Sequence, residues 1–227
     1  TCALPILASY GWKEGENYVL EERWTEGNYE RLPDVAREIV ERKPAVVVTP
    51  TSSLAKEMLK AAPNVPIVTV NADPFSTGLS NSLAKPSGMV TGMSNMGMDL
   101  TAKLVELLRD AVPKVRHVGV LSDGWSLVSK QRNNELQRAA VATKMQLTIV
   151  EVFQPIQVDT ALAGLAKQGA RALIVPSASI LNEVRSRISK FALARGWPLV
   201  ASDPDWADAG AFATYGANRL ALYRRSA

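Results

Sequence analysis

Short hydroxyl, amide and carboxylate side chains recur in this chain at one kind of place, directly after an apolar run. Thr49, Pro50, Thr51, Ser52 and Ser53 follow "AVVV", and Asn71, Ala72, Asp73 and Pro74 follow "VPIVTV". Ser122, Asp123, Gly124 and Trp125 follow "VGVL", and Pro176, Ser177, Ala178 and Ser179 follow "ALIV". Ser202, Asp203, Pro204 and Asp205 follow "PLVA", with Trp206 next. If these runs are parallel strands of an open sheet, ligands bind outside their carboxyl ends. Thr51 and Ser52 open a helical pattern, so their hydroxyls and the free backbone N–H groups there suit a carboxylate or another anion. Asp73, Asp123, Asp203 and Asp205 suit an ammonium or sugar hydroxyls, while Trp125 or Trp206 would cover an apolar or aromatic face. Taken singly, each of these residues is equally a helix N-cap or a turn former.

Catalytic and metal chemistry find little to work with. The one histidine, His117, lies inside a strand-like run, where a packed or edge position is expected. The chain has no G-x-x-x-x-G-K-[ST], no G-x-G-x-x-G and no G-x-S-x-G. It has no Cys/His cluster for zinc, and "DPDWAD" lacks the glycine and distal glutamate of a calcium loop. Met89, Met93, Met96 and Met98 could form a soft-metal set, but hinge packing is their expected use. The reading is a binding protein for a small molecule, with no catalytic residue, no cofactor and no metal.

Composition narrows the class further. At 227 residues the chain suffices for one large domain or two small ones. Its 47% hydrophobic and 21% charged residues are those of an ordinary globular protein, and no apolar run approaches a membrane span. The net charge of +4 is spread among acids along helix-like segments, without basic clusters interleaved with aromatics, so no nucleic-acid partner is expected. The single cysteine, Cys2, falls in "TCALPI", which reads like the translated end of a sequencing adaptor. Residues 1–6 are set aside as a scar on that ground, with the natural N-terminus lying further upstream.

The elements that would hold the polar strand ends alternate along the chain. "NYVLEERW" (Asn17 to Trp24) reads as a short strand, and "GNYERLPDVAREIVERKP" as an amphipathic helix with Leu32, Val35, Ile39 and Val40 on one face. Strand "AVVVTP", helix "TSSLAKEMLKAAP" and strand "VPIVTV" follow. A long polar stretch, Asn71 to Asn95, then interrupts the pattern, although Leu79, Leu83, Met89, Val90 and Met93 argue against disorder in it. Beyond it come helix "MGMDLTAKLVELLRDAVP", strand "RHVGVLSD", helix "SLVSKQRNNELQRAAVATKM" and strand "QLTIVEVF". The series closes with helix "VDTALAGLAKQGA", strand "RALIVPS", helix "ILNEVRSRISKFALARG" and strand "WPLVAS", before a turn, a strand and a helix start. Such alternation specifies parallel sheets with helices on both faces, and the polar stretch divides it into two α/β lobes.

Three segments carry a family resemblance: "GWKEGENYVLEERWTEGNYERLPDVAREIV", "DPFSTGLSNSLAKPSGMVTGMSN" and "AGAFATYGANRLALYRR". They resemble the ABC-transporter substrate-binding proteins that include tryptophan- and phenylalanine-binding members, over nearly all of residues 10 to 227. The resemblance implies a type I periplasmic-binding-protein fold, with two flavodoxin-like (Rossmann-like) lobes, parallel sheets and a ligand cleft between them. The implied division is 1–93 for the first lobe, 94–210 for the second and 211–227 for the return to the first. "VTGMSN" would be the first hinge crossing and "AFATYG" the return, with Gly78 and Gly88 in turns. Relative to the family, the first strand and a terminal segment are expected to be missing, so the chain reads as a fragment.

The ligand-binding set implied by this likeness and by the strand ends is Thr49, Thr51, Ser52, Asn71, Asp73, Asp123, Trp125, Ser177, Ser179, Asp203 and Tyr215. Thr214 stands where the motif has Ser, and "LSDGWSL" where many members have an Asn-Pro stretch, so the ligand need not be theirs. The expected function is the solute-binding component of an ABC importer for a small polar or aromatic, amino-acid-like ligand. The resemblance implies a monomer, periplasmic or otherwise extracytoplasmic, with or without a lipid anchor, that delivers to the transmembrane subunits of a permease. The rival from another class is the ligand-sensing effector domain of a transcription regulator with the same fold. An α/β enzyme such as a nucleotide-sugar transferase lacks its donor-phosphate motif.

Overall fold

In the computed structural model, residues 4–82, 84–86 and 88–226 are described. Thr1 to Ala3 of the adaptor-like opening, and Leu83 and Ser87 of the polar stretch, lie outside the described residues. The chain divides into two compact units, residues 1–95 with 218–227, and residues 96–217.

The first unit begins with a short helix, α1 (Leu4–Ser9), in which Ile6 is buried. Helix α2 (Leu32–Glu41) carries Pro33 in its first turn, where proline's missing N–H costs no intrahelical bond. Strand β1 (Val47–Thr49), helix α3 (Ser52–Ala61), strand β2 (Ile67–Ala72) and strand β3 (Val90–Ser94) follow. The strands form a parallel sheet in the order β1-β2-β3, as connections through helices and long loops require. Ala36 of α2 and Ala55 and Met58 of α3 pack with Val47, Ile67 and Val90 of the sheet. Opposite Thr69 the β2–β3 register shifts, and Gly92 sits there with φ +135°. A Cβ on Gly92 would lie 1.9 Å from the Thr69 carbonyl oxygen, so no other residue fits this close approach.

The second unit runs α4 (Gly97–Ala111), β4 (His117–Asp123), α5 (Ser129–Thr143), β5 (Gln146–Val152), α6 (Val158–Lys167) and β6 (Leu173–Val175). It continues through α7 (Ser179–Glu183), α8 (Arg185–Ala194), β7 (Leu199–Ala201), α9 (Asp205–Asp208) and β8 (Ala213–Thr214). Its five strands are parallel in the order β5-β4-β6-β7-β8. The period of two along each strand sorts the core into layers. Val118, Val120, Ile174 and Val200 meet Leu104 and Leu108 of α4 and Leu136 of α5 on one face. Leu121, Leu173, Val175 and Leu199 meet Leu162 and Leu165 of α6 and Ile188 of α8 on the other. The chain then re-enters the first unit, where α10 (Arg219–Ser226) packs against β2 and β3.

Mixed α/β architecture with two parallel sheets is therefore present, but three local expectations change. "NYVLEERW" is not a strand: its sole ladder contact is an isolated bridge between Glu14 and Tyr18, and Val19 and Trp24 stay exposed. Alternation makes a strand only where a neighbour offers its backbone, and β1 pairs with β2 alone. "VTGMSN" is largely strand β3 of the first sheet, with the unit boundary behind it, between Asn95 and Met96. Ala213 and Thr214 extend the second sheet by pairing with Val200 and Ala201, so residues 211–217 sit with the second unit. Among the described residues no helix is long and apolar enough to cross a membrane.

Candidate functional site

In the second unit β4 is the strand at which the order reverses, with β5 on one side and β6 on the other. The loops leaving β4 and β6 therefore part in opposite directions, and the gap between them is where open α/β sheets bind ligands. Asp123 is the last residue of β4, Ser177 lies just beyond β6, and Asp203 just beyond β7. Strand periodicity turns Ser122 toward α5, where its hydroxyl donates to Asn133 Oδ1 at 2.9 Å, and Asp123 toward the opposite face. Gly124, Trp125 and Ser126 turn the chain toward α5, and Asp123 Oδ1 accepts the Trp125 N–H at 2.9 Å.

Asp203 is held on several sides. It is 3% exposed and accepts from the Ser177 hydroxyl at 3.1 Å and from Asn182 Nδ2 at 2.7 Å. Asn182, on α7, in turn accepts from Trp206 Nε1 at 2.6 Å. This chain of bonds fixes the carboxylate's orientation, since each side-chain group along it has a partner to keep. Arg132, in the first turn of α5, is also buried and donates from Nη1 to the Ser177 carbonyl at 3.0 Å. Burial pushes the Asp123 carboxyl above its usual range, while the Trp125 N–H and the Arg132 charge pull against that shift. Burial likewise lowers Arg132, opposed by the charges of Asp123 and Asp203. The cluster is thus two carboxylates at strand ends and one cation from the first turn of α5, a combination chemically suited to a polar, partly cationic group.

The expected first-unit residues also lie together. Thr49 is fully buried and its Oγ1 accepts the Thr51 N–H at 3.2 Å; Thr51 Oγ1 caps α3 by accepting the Leu54 N–H at 3.2 Å. Ser52 Oγ accepts the Asp73 N–H at 3.3 Å, joining the ends of β1 and β2. Asp73 Oδ1 accepts the Ser76 N–H at 3.0 Å, and the Asn71 carbonyl accepts from Asn95 Nδ2 at 2.9 Å. Thr49, Thr51 and Asp73 thus serve a cap or a turn, as such residues commonly do, while Ser52 and Asn71 tie separate segments of the unit together.

The other expected positions take no part in the hydrogen bonds around Asp203. Ser179 is the first residue of the five-residue α7 and is exposed. Tyr215, 44% exposed, follows β8, and its N–H donates to the Ala201 carbonyl at 2.9 Å. Trp125 is half-buried edge-on against Phe153 at 5.6 Å and donates from Nε1 to the Phe153 carbonyl at 2.8 Å. Trp206 offers no face to a ligand; it is 1% exposed in the core. His117 sits at the opposite end of β4 from Asp123, hydrogen-bonded through Nε2 to Thr148 Oγ1 at 2.8 Å. Among the described residues no group of three His, Cys, Asp or Glu side chains gathers as metal ligands would. Two members of the cluster escaped the sequence reading. Asn182 carries no signal of its own. Arg132 does: a cation in the first turn of a helix opposes the macrodipole, and so asks for an acidic neighbour.

Comparison with known proteins bears on the fold and the family. A tyrosine-binding protein of Clostridioides difficile is 26% identical over 215 residues, 94% of this chain and 61% of that protein. The chain therefore spans somewhat under two thirds of the length of that curated relative. A conserved domain protein of Vibrio cholerae has the same fold, with a TM-score of 0.90 at 21% identity over 99% of this chain and 75% of that one. An ABC domain from Streptococcus pneumonia, solved in complex with L-Trp, superposes with a TM-score of 0.85 at 19% identity over 99% and 76%. The family model for ABC transporter substrate binding proteins matches residues 5–223, and the chain belongs to that family, whose members bind substrates rather than transform them.

Proposed function

We propose that the protein is the solute-binding component of an ABC importer and takes a small amino-acid-like ligand at the strand ends described above. The observation that carries this reading is the fixed Asp203 carboxylate, held by Ser177 and Asn182 beside Asp123 and Arg132 at the reversal of the second sheet. Such a group binds an ammonium or hydroxyl strongly because its own orientation costs nothing on binding. The likeness to a tyrosine-binding protein and to a structure holding L-Trp supports an amino acid as the solute class. On this reading the partners are the transmembrane subunits of a permease, and the location is extracytoplasmic.

Isothermal titration against L-tyrosine, L-tryptophan and the other amino acids tests the proposal. One of them is expected to bind, and Asp203→Ala should weaken it by on the order of 2 kcal/mol or more, as for a buried charge partner. Heat absent for every amino acid, or full affinity retained by a folded Asp203→Ala variant, overturns the assignment.

A further inference from the structure

Among the described residues Arg132 is the one buried cation, 6% exposed, and only one side of its guanidinium is used. Nη1 donates to the Ser177 carbonyl at 3.0 Å. Nε and Nη2, both buried, have no hydrogen-bond partner. These two nitrogens lie along one edge of the planar group, the edge that meets both oxygens of a carboxylate in a paired, parallel fashion. Asp123 and Asp203 are near enough to act on the Arg132 charge, yet neither takes those two N–H groups. A buried donor left unpaired is costly, and an arginine edge with two such donors is the more so.

We infer that Arg132 is a specificity-determining residue, whose Nε–Nη2 edge receives the carboxylate of a zwitterionic α-amino acid while its ammonium faces Asp123 or Asp203. This rests on the proposed function and deepens it. Charge decides among solute classes. The cluster holds one positive and two negative groups, so a simple anion would bring a third negative charge into a buried site. A simple amine would satisfy the carboxylates and leave the arginine edge bare. A zwitterion answers both, adding no net charge.

A thermal-shift screen of the twenty L-amino acids identifies the amino acid that binds. Titration then compares it with its decarboxylated amine and its deaminated acid; for L-tryptophan these are tryptamine and indole-3-propionate. Wild type should prefer the amino acid to both by at least about 100-fold, since a site built around a polar group rejects analogues lacking it. Arg132→Met should weaken the amino acid by a similar factor and bring its ratio to the amine toward one. Arg132→Lys, which keeps the charge but loses the paired edge, should fall between. An amine that binds wild type as tightly as the amino acid overturns the inference without any variant. A folded Arg132→Met or Arg132→Lys with the wild-type ratio also overturns it, leaving amino-acid binding itself intact. No binding of any amino acid by wild type overturns both readings.

Discussion

Asp123 sits 4% exposed at the end of β4 with its carboxyl raised by burial. A carboxyl whose folded pKa exceeds its unfolded value binds protons more readily when folded, so its contribution to stability is full below the unfolded pKa and is lost as pH rises through the folded one. Burying this charge thus disfavours the fold at neutral pH relative to acid. Asparagine in its place keeps an acceptor for the Trp125 N–H and carries no charge. The melting temperature of Asp123→Asn minus that of wild type is therefore expected to increase between about pH 4 and pH 7. A difference that stays flat or falls over that interval would show that the Arg132 charge and the Trp125 and Ser126 N–H bonds fully offset the burial.

Between helix and sheet, a close fit occurs where α6 crosses β4. Gly119 lies in that strand between Val118 and Val120, and a Cβ built on it would stand 2.8 Å from Leu165 Cδ1. Its hydrogen atom lets the helix settle onto the sheet, as glycine does wherever another element approaches closely. Gly119→Ala should destabilise the protein by about 1–3 kcal/mol through overpacking. Leu165→Ala alone should cost about 2–5 kcal/mol as a cavity in a fully buried position. Combined, the two are expected to cost clearly less than their sum, because the new methyl occupies part of the space the leucine leaves. Simple additivity in urea denaturation would place the cost of Gly119→Ala elsewhere than this contact.

The molecule is uneven in its means of support. Among the described residues the second unit covers both faces of five parallel strands with helices, whereas the first has three strands, with Val48 of β1 and the preceding Val46 exposed. Parallel strands are ordinarily covered on both faces, and strands short of partners and cover open at lower free energy. Amide hydrogen exchange is expected to be slowest at β4 and β6, at the centre of the second sheet, and distinctly faster at β1. Equal protection of Val47 to Thr49 and Leu173 to Val175 would refute that ranking.

Strand runs such as "VGVL" and "ALIV", their helical alternation with "VDTALAGLAKQG", and the polar groups at their ends are properties of short windows, so they were legible at once. The same locality explains the error at "NYVLEERW", since alternation states which face of a segment is apolar but not whether a neighbour exists to pair with it. Trp206 is in the core and not at a ligand-facing surface for a related reason: its place against Asn182 depends on α7 and α9 meeting, which no nearby residue announces. The carboxylate positions Asp123 and Asp203 could be read from the chain, but their surroundings could not. Ser177 lies 26 residues before Asp203, and Asn182 lies 21 before it. Arg132 reaches the Ser177 carbonyl across 45 residues. The sequence by itself determined which groups stand at the strand ends. Only the tertiary structure, by choosing the order β5-β4-β6-β7-β8, decided which of them share one buried site, because strand order is set by packing over the whole sheet.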